Sequence, residues 1–122
     1  LSPAMLEFLR ESHFATLTTL RPDGSPHVVA VGFSYDAAAG VARIITMGGS
    51  VKARNAARGG RAAVCQVDGP RWVSLEGPVR VVADPDAVAS TAAAYATRYG
   101  PAEDRPGRVV IEIAVERVLG HV

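Results

Sequence analysis

Hydrophobic and charged residues alternate with a period of two near the end of the chain. This spacing places each set on its own face of an extended strand. The apolar set is Val109, Ile111, Ile113 and Val115, and the charged set is Arg108, Glu112 and Glu116. Other apolar, β-branched runs lie between turn residues and predict further strands. The six predicted strands are residues 13–20, 26–35, 41–46, 61–67, 71–82 and 109–115.

Helix-start signals interrupt this strand pattern in three places. Ser2 and Asp84 each precede a proline, which is an N-cap followed by a residue suited to the first helical position. Ser50 is a further N-cap residue, and the pair Gly59–Gly60 suits a helix end. The predicted helices therefore cover residues 3–12, a short stretch between Ser50 and Gly59, and residues 85–99.

Tight turns connect most of the predicted strands. Arg21–Ser25 and Asp68–Pro70 are rich in Gly, Pro and Asp, which favour the turns of hairpins. A doubly wound fold would need a helix between nearly all strands. The order of elements instead predicts a single domain over residues 1–122, mainly β with flanking helices, built as a six-stranded antiparallel Greek-key barrel.

Composition limits the classes of partner. The chain has 122 residues, of which 48% are hydrophobic, so one domain with a core is expected. The formal net charge is +1 with dispersed basic residues, and we expect no nucleic-acid partner. Without an apolar run of ~18 residues or a signal sequence, we expect no membrane partner and a cytoplasmic location.

Thiol and metal chemistry find little support in the sequence. Cys65 is the single cysteine and lies in an apolar strand, which favours a structural role in a reducing compartment. His13, His27 and His121 are far apart and lack the spacing of metal ligands. We therefore expect no metal site.

Lys52 is the only lysine among the 13 Lys and Arg residues. It lies just after the junction between a predicted strand and a predicted helix. Gly48 and Gly49 suit a turn with positive φ, and Ser50 suits an N-cap. Free amides of a first helical turn and an ammonium group can bind one phosphate together. The segment predicts an anion site, and the alternative is a solvated lysine on an ordinary short helix.

Four stretches follow one another along the chain: Ser25–Val29, Ile45–Thr46, Ser50–Asn55, and Gln66 with Asp68–Gly77. In this order they resemble the split-barrel superfamily that binds flavins and deazaflavins, which is pyridoxamine-phosphate-oxidase-like. The resemblance is strongest to small actinobacterial proteins that use the deazaflavin coenzyme F420, in particular the biliverdin-reductase-like branch. It covers nearly the whole chain, and the ordered set is more specific than any single stretch.

The resemblance implies a split β-barrel homodimer with two cofactor grooves at the interface, each lined by both subunits. The groove residues fall into a strand facing the flat ring, a phosphate-binding segment, and positions that approach the cofactor partly from the neighbouring subunit. The implied residues are, in that order, His27, Val28 and Val29; Ile45, Thr46, Ser50, Val51, Lys52 and Asn55; and Gln66, Arg71 and Trp72.

For some residues the sequence leaves ordinary roles open. Trp72 suits core packing as well as stacking on a cofactor, and His27 suits a structural or surface role. Arg43, Arg71 and Arg98 are all candidates to hold substrate carboxylates. No residue stands out as a catalytic acid or base, so catalytic residues are not assigned.

Two departures separate the chain from the pyridoxamine-phosphate-oxidase branch. Val51 stands where that branch typically has an arginine before the phosphate lysine, which removes one charge from an FMN phosphate site. The chain ends in Glu116–Gly120 without the Arg-Leu-x-Pro-like tail that helps to hold pyridoxamine phosphate. The resemblance therefore implies coenzyme F420 as cofactor, with FMN as the alternative, and disfavours vitamin B6 oxidation.

The implied activity is an oxidoreductase that uses reduced F420 to transfer a hydride to a conjugated small molecule, with biliverdin as the leading candidate. In such an enzyme the cofactor carries the hydride chemistry, and the protein supplies orientation and excludes water. The alternatives are an FMN-binding oxidoreductase of the same fold and a non-enzymatic carrier of a cofactor or haem product.

Overall fold

The computed structural model describes residues 1–101 and 103–122. Within these residues the protein has eight strands and three helices, which confirms a mainly β fold with flanking helices. The strands are β1 (Ala15–Leu20), β2 (Pro26–Val31), β3 (Ser34–Asp36), β4 (Val41–Met47), β5 (Arg61–Asp68), β6 (Arg71–Val82), β7 (Arg108–Ala114) and β8 (Arg117–His121), and the helices are α1 (Pro3–Arg10), α2 (Val51–Ala57) and α3 (Pro85–Tyr99). No helix in this part of the chain has the length and apolar character needed to cross a bilayer.

The strands form one antiparallel sheet that curls into a barrel. Its order is β2-β1-β5-β6-β7-β4-β3, and β8 lies beside β6. The first part of β6 pairs with β5 and β8, whereas Val79–Val82 pair with β7. Consequently β2 and β3, which are consecutive in sequence, lie at opposite ends of the sheet order. The barrel is split between them.

The prediction of one strand over residues 26–35 is wrong, because the strand is interrupted at Gly32 and Phe33. A Cβ atom on Gly32 would lie 2.7 Å from the ring of Tyr95, so the backbone here packs directly on α3. The amide of Phe33 donates to the hydroxyl of Tyr99 at 3.2 Å. A tyrosine from α3 thus bonds the backbone at the point where β2 ends.

The second strand beyond the six predicted is β8, near the end of the chain. Residues 117–121 pair with Glu76–Trp72 of β6 in antiparallel register. Close approach is required here, since a Cβ on Gly120 would lie 2.6 Å from the carbonyl oxygen of Trp72. The weak hydrophobic pattern of Arg117–His121 carried no sign of this pairing.

The core fills the barrel, and α1 covers one end of it. The largest fully buried hydrophobic side chains are Phe8, Phe33, Leu17, Ile44, Leu75, Ile111, Ile113, Val64, Val73 and Val110. Most of these side chains belong to the strands; Phe8 belongs to α1, and Phe33 lies between β2 and β3. Their burial supplies the main driving force for the fold.

Two polar side chains bind carbonyl groups at the C-terminal end of α1. The Gln66 amide donates to the carbonyl of Phe8 at 2.7 Å. Arg98 donates to the carbonyls of Leu9 and Glu11, and also to the Gln66 side-chain oxygen at 2.9 Å. A cation is favourable at a helix C-terminus, where the carbonyls point outward. Gln66 and Arg98 therefore hold α1 onto the barrel.

All three predicted N-caps are confirmed, but one turn is not as expected. The Ser50 hydroxyl accepts from the amide of Ala53 at 3.2 Å and begins α2. Neither Gly48 nor Gly49 has positive φ, so that prediction is wrong. A Cβ on Gly48 would lie 3.3 Å from the Val109 side chain, so this position is tightly packed.

Candidate functional site

A groove of about 480 Å³ opens at the split in the barrel. Strand β3 pairs with β4 only at Val41–Arg43, so among the described residues the outer edge of Ile44–Met47 has no strand partner. Four consecutive residues of β4 line the groove, as expected where a main-chain edge faces it. The lining residues are Ala30, Val31, Gly32, Ile44, Ile45, Thr46, Met47, Lys52, Tyr95, Pro101, Glu103, Arg105 and Arg108.

Lys52 reaches this groove from the first turn of α2. The position of that turn is fixed by Ser50, whose hydroxyl lies 3.2 Å from the Thr46 hydroxyl and donates to the carbonyl of Met47 at 2.8 Å. The ion pairs in the described part of the chain do not include Lys52. Its half-buried ammonium is therefore available to an anion in the groove.

The structure brings much of the predicted phosphate segment together. Ile45, Thr46 and Lys52 line the groove. Ser50 lies behind them, and its hydroxyl is within hydrogen-bond distance of the Thr46 hydroxyl. Val51 is exposed and carries no polar group. The predicted ring-facing residues His27, Val28 and Val29 lead directly into Ala30–Gly32, which form the opposite wall.

His27 carries the one unpaired buried polar side-chain atom within residues 1–101 and 103–122. Its Nδ1 is shielded from solvent and has no hydrogen-bond partner. The residue stands opposite Thr19 in the β1–β2 pair. A role in binding the cofactor stays a prediction.

Asn55 is a buried residue of α2 and does not line the groove. Its side-chain amide donates to the Thr19 hydroxyl at 3.1 Å, and its oxygen accepts from Arg58 at 3.0 Å. Arg58 also donates to the carbonyl of Leu20 at 2.7 Å. This network fixes α2, and Lys52 with it, against β1. A direct contact of Asn55 with a cofactor stays a prediction.

Gln66, Arg71 and Trp72 do not line the groove of their own chain. Gln66 is fully buried and binds the end of α1. Arg71 is bonded to Glu11, and Trp72 is 38% exposed on the outer face of β6. For Arg71 and Trp72, the predicted approach to a cofactor therefore depends on a second subunit; for Gln66, a cofactor contact stays a prediction.

Arg71 belongs to an ion-pair network at the start of β6. It binds both oxygens of Glu11, at 2.8 and 2.9 Å, and also Asp68. Hydrogen bonds from Arg71 and then His13 lower the pKa of Glu11 to about 2. The ligand atoms of Glu11, His13 and Asp68 lie within 4.8 Å of one another, but the guanidinium already binds both carboxylates. The arrangement is that of a salt-bridge network.

Arg43, another candidate to hold a substrate, is bound on the far side of β4. It donates to Glu112 at 2.8 Å and to Asp36 at 2.9 Å. Burial raises the pKa of Glu112, but hydrogen bonds from Arg43 and Arg80 outweigh this and keep that pKa below its ordinary value. Neither Arg43 nor Arg98 lines the groove.

Sequence reasoning missed several residues that do line the groove: Met47, Tyr95, Arg105 and Arg108. Met47 and Arg108 are 61 positions apart in sequence but stand opposite each other in the β4–β7 pair. The amide of Gly48 donates to the carbonyl of Gly107 at 2.9 Å and ties the two segments together. No local pattern signals this, because it depends on which strand lies beside β4.

An antiparallel barrel that opens along one edge of β4 is a split barrel, and here Lys52 lies at the opening. A family model described as pyridoxamine 5'-phosphate oxidase matches residues 1–121. The chain therefore belongs to the pyridoxamine 5'-phosphate oxidase family, which confirms the resemblance found in the sequence.

Three individual proteins are similar to this chain over most of its length. The F420H2-dependent biliverdin reductase of Mycobacterium tuberculosis is 57% identical over 120 residues, covering 98% of this chain and 88% of that protein. The crystal structure of a conserved hypothetical protein from M. tuberculosis is similar with a TM-score of 0.83 and 29% identity, over 98% of this chain and 84% of that one. A protein described as F420 reductase has a TM-score of 0.76 and 25% identity, over 93% and 94%.

Proposed function

We propose that the protein is an oxidoreductase that uses reduced coenzyme F420 to transfer a hydride to a conjugated small molecule, with biliverdin as the substrate to test first. The observation that carries this proposal is the 57% identity to an F420H2-dependent biliverdin reductase over 98% of the chain. The aligned region covers nearly the whole chain and so includes the segment that carries Lys52.

The groove suits a cofactor with a flat ring and a phosphodiester. Its volume of about 480 Å³ lies within the range of ~300–1,000 Å³ that is typical of small-molecule pockets. Lys52 offers a compact positive charge for the phosphodiester. The open edge of Ile44–Met47 offers main-chain polar groups, and Ala30–Gly32 form a wall without bulky polar side chains.

The chain's own residues bind and orient the reactants. Bound reduced F420 supplies the hydride, from its C5 carbon. Lys52 and Thr46 hold the phosphate end, and Ser50 fixes their relative position by its bonds to the strand end. Tyr95 and Met47 line the groove and would help to exclude water around bound reactants.

FMN is the less favoured cofactor because the phosphate segment carries a single cation. Val51 is 42% exposed and uncharged at the helix start. Arg58, at the other end of α2, is bonded to Leu20 and Asn55. Within the predicted phosphate segment, a phosphomonoester with nearly two negative charges would meet only Lys52 in the groove, whereas a phosphodiester carries one charge.

Titration of the purified protein with F420 and with FMN tests the cofactor. We expect F420 to bind more tightly than FMN, and reduced F420 to drive the loss of biliverdin absorbance under anaerobic conditions. Tighter binding of FMN would reverse the assignment. Binding of F420 without reduction of biliverdin or another conjugated acceptor would favour a carrier.

We also propose a homodimer of one-domain subunits, each comprising residues 1–122, with the outer face of the sheet as its interface. Strand register aligns outward residues of five neighbouring strands, so that Thr18 pairs with Val28, Thr16 with Cys65, and Ser74 with Leu119. Exposed apolar patches of this kind mark interfaces. The large exposed hydrophobic residues on this face are Leu20 at 45%, Val28 at 57%, Val67 at 50%, Trp72 at 38% and Leu119 at 47%. Such a dimer would bring Arg71 and Trp72 toward the partner's groove.

Replacing Val28 by arginine should disrupt this dimer. A two-fold interface receives the new charge twice, and desolvating both charges costs several kcal/mol. We expect the dissociation constant of the dimer to rise at least about 100-fold, measured by sedimentation velocity over a concentration series. Ala93→Arg, on the exposed side of α3, adds the same charge elsewhere and should leave the dimer intact. A wild-type monomer, or a Val28→Arg dimer of unchanged affinity, would contradict the proposal.

A further inference from the structure

Two further cations lie in the groove besides Lys52. Arg105 and Arg108 line it from the segment that leads into β7, whereas Lys52 reaches it from α2. Two elements that are distant in sequence thus place positive charge around one cavity. A ligand with two negative groups would match this distribution.

The carboxylates that now pair with these arginines are solvated. Arg105 bonds Glu103 at 2.7 Å, and the Glu103 side chain is 72% exposed. Arg108 bonds Asp104 at 3.1 Å, and the Asp104 side chain is 94% exposed. Ion pairs of exposed side chains are weak. A ligand carboxylate can replace either partner at little cost.

The other arginines considered for this role differ in this respect. Arg43 binds Glu112, whose side chain is only 10% exposed. Arg71 binds two carboxylates, and Arg98 binds backbone carbonyls at the end of α1. Removing any of these bonds would leave a partly buried group without its partner, which is costly. Arg105 and Arg108 are the arginines that face the groove and can change partners.

Arg108 is also held in place before any ligand binds. Its side chain is only 17% exposed, and its backbone starts β7 opposite Met47. The preceding residue, Gly107, accepts a hydrogen bond from Gly48 at 2.9 Å. A guanidinium fixed in this way loses little conformational freedom on binding a carboxylate, and its fork matches both oxygens.

We propose that Arg105 and Arg108 form a carboxylate subsite of the groove, distinct from the phosphate subsite at Lys52. The inference rests on the proposed function and specifies how that site recognises its ligands. The carboxylate comes either from the conjugated substrate, such as a tetrapyrrole propionate, or from the acidic tail of the cofactor. Both sources present the same group to the same two guanidinium ions.

The test compares the wild type with the Arg105→Gln/Arg108→Gln double variant. We expect at least about a tenfold loss of affinity for the carboxylate-bearing ligand, as for other charge-assisted hydrogen bonds. If the substrate supplies the carboxylate, KM for biliverdin rises with kcat little changed, and the preference for biliverdin over its dimethyl ester disappears. If the cofactor supplies it, the directly titrated Kd for F420 rises instead.

Arg10→Gln is the matched control. Arg10 pairs with Glu7 at 3.0 Å, both side chains are more than 70% exposed, and neither lines the groove. This variant removes the same charge and should change neither constant. Arg108→Lys keeps the charge without the fork and should restore part of the affinity.

Direct titration of the cofactor-free protein with biliverdin separates this proposal from the proposed function. A wild type that binds biliverdin but not F420 would refute the F420-dependent activity, and loss of that binding in the double variant would still support the subsite. Unchanged affinities for biliverdin and F420 in the double variant would overturn the subsite. Failure of the wild type to bind either ligand would overturn it as well.

Discussion

Replacing Lys52 by alanine is expected to raise the Kd for F420 by about 10- to 150-fold. A hydrogen bond to a charged group contributes about 1.5–3 kcal/mol, and each 1.4 kcal/mol corresponds to a factor of about ten in Kd. Lys52 lines the groove, and no carboxylate in the described part of the chain pairs with it, so the loss falls on the ligand alone. Fluorescence titration with F420 measures the change.

Two further variants make this result specific. Arg54→Ala removes a cation from the same helix at an exposed position outside the groove, and should leave the Kd nearly unchanged. Lys52→Arg keeps the charge at the groove and should recover much of the affinity. Equal losses in Lys52→Ala and Arg54→Ala would show that net charge, rather than a phosphate contact, determines binding.

Replacing Gly77 by alanine is expected to destabilise the fold by about 3 kcal/mol, the upper part of the usual range for overpacking a core. At Gly77, β6 passes from its pairing with β8 to its pairing with β7. An added Cβ would overlap the carbonyl oxygen of Ala114, a backbone atom that cannot rotate away. The strands would have to separate where the amide of Glu116 bonds the carbonyl of Glu76 at 2.8 Å.

Urea unfolding of the Gly77→Ala variant measures this loss. Gly49→Ala is the matched control, because Gly49 has no atom within 4 Å of an added Cβ and does not have positive φ. We expect the midpoint of Gly49→Ala to stay close to that of the wild type. A Gly77→Ala midpoint equally close to the wild type would show that the strands can move apart freely at this point.

The grouping of Thr46, Ser50 and Lys52 at one end of the groove was predictable because its signals are adjacent in sequence. The strand end at Thr46, the cap at Ser50 and the charge of Lys52 fall within seven residues, and backbone geometry places neighbours of this kind together. The turn between them was predicted with the wrong backbone conformation. Gly48 instead packs closely against Val109, and that contact cannot be inferred from the local sequence pattern.

The roles of Gln66, Arg71 and Asn55 were not predictable in the same way. The family resemblance placed each of these polar residues near a cofactor, yet each bonds within its own chain to a group at least 36 positions away in sequence. Whether a polar side chain faces a ligand or another residue depends on what packs against it. Arg71 is partly exposed, so a second subunit would decide what remains exposed there, whereas Gln66 is already fully buried within its own chain.

The sequence by itself determined the number and caps of the helices, most of the strands and the segment that carries Lys52, because these follow from periodicity and from interactions between near neighbours. Only the tertiary structure decided where β2 ends, that the tail forms β8, and that Arg105 and Arg108 share a groove with Lys52. These features depend on strand register and on packing, as when Tyr99 bonds Phe33 across 66 positions. Such contacts leave no periodic trace in the chain, since they form only once distant segments have come together.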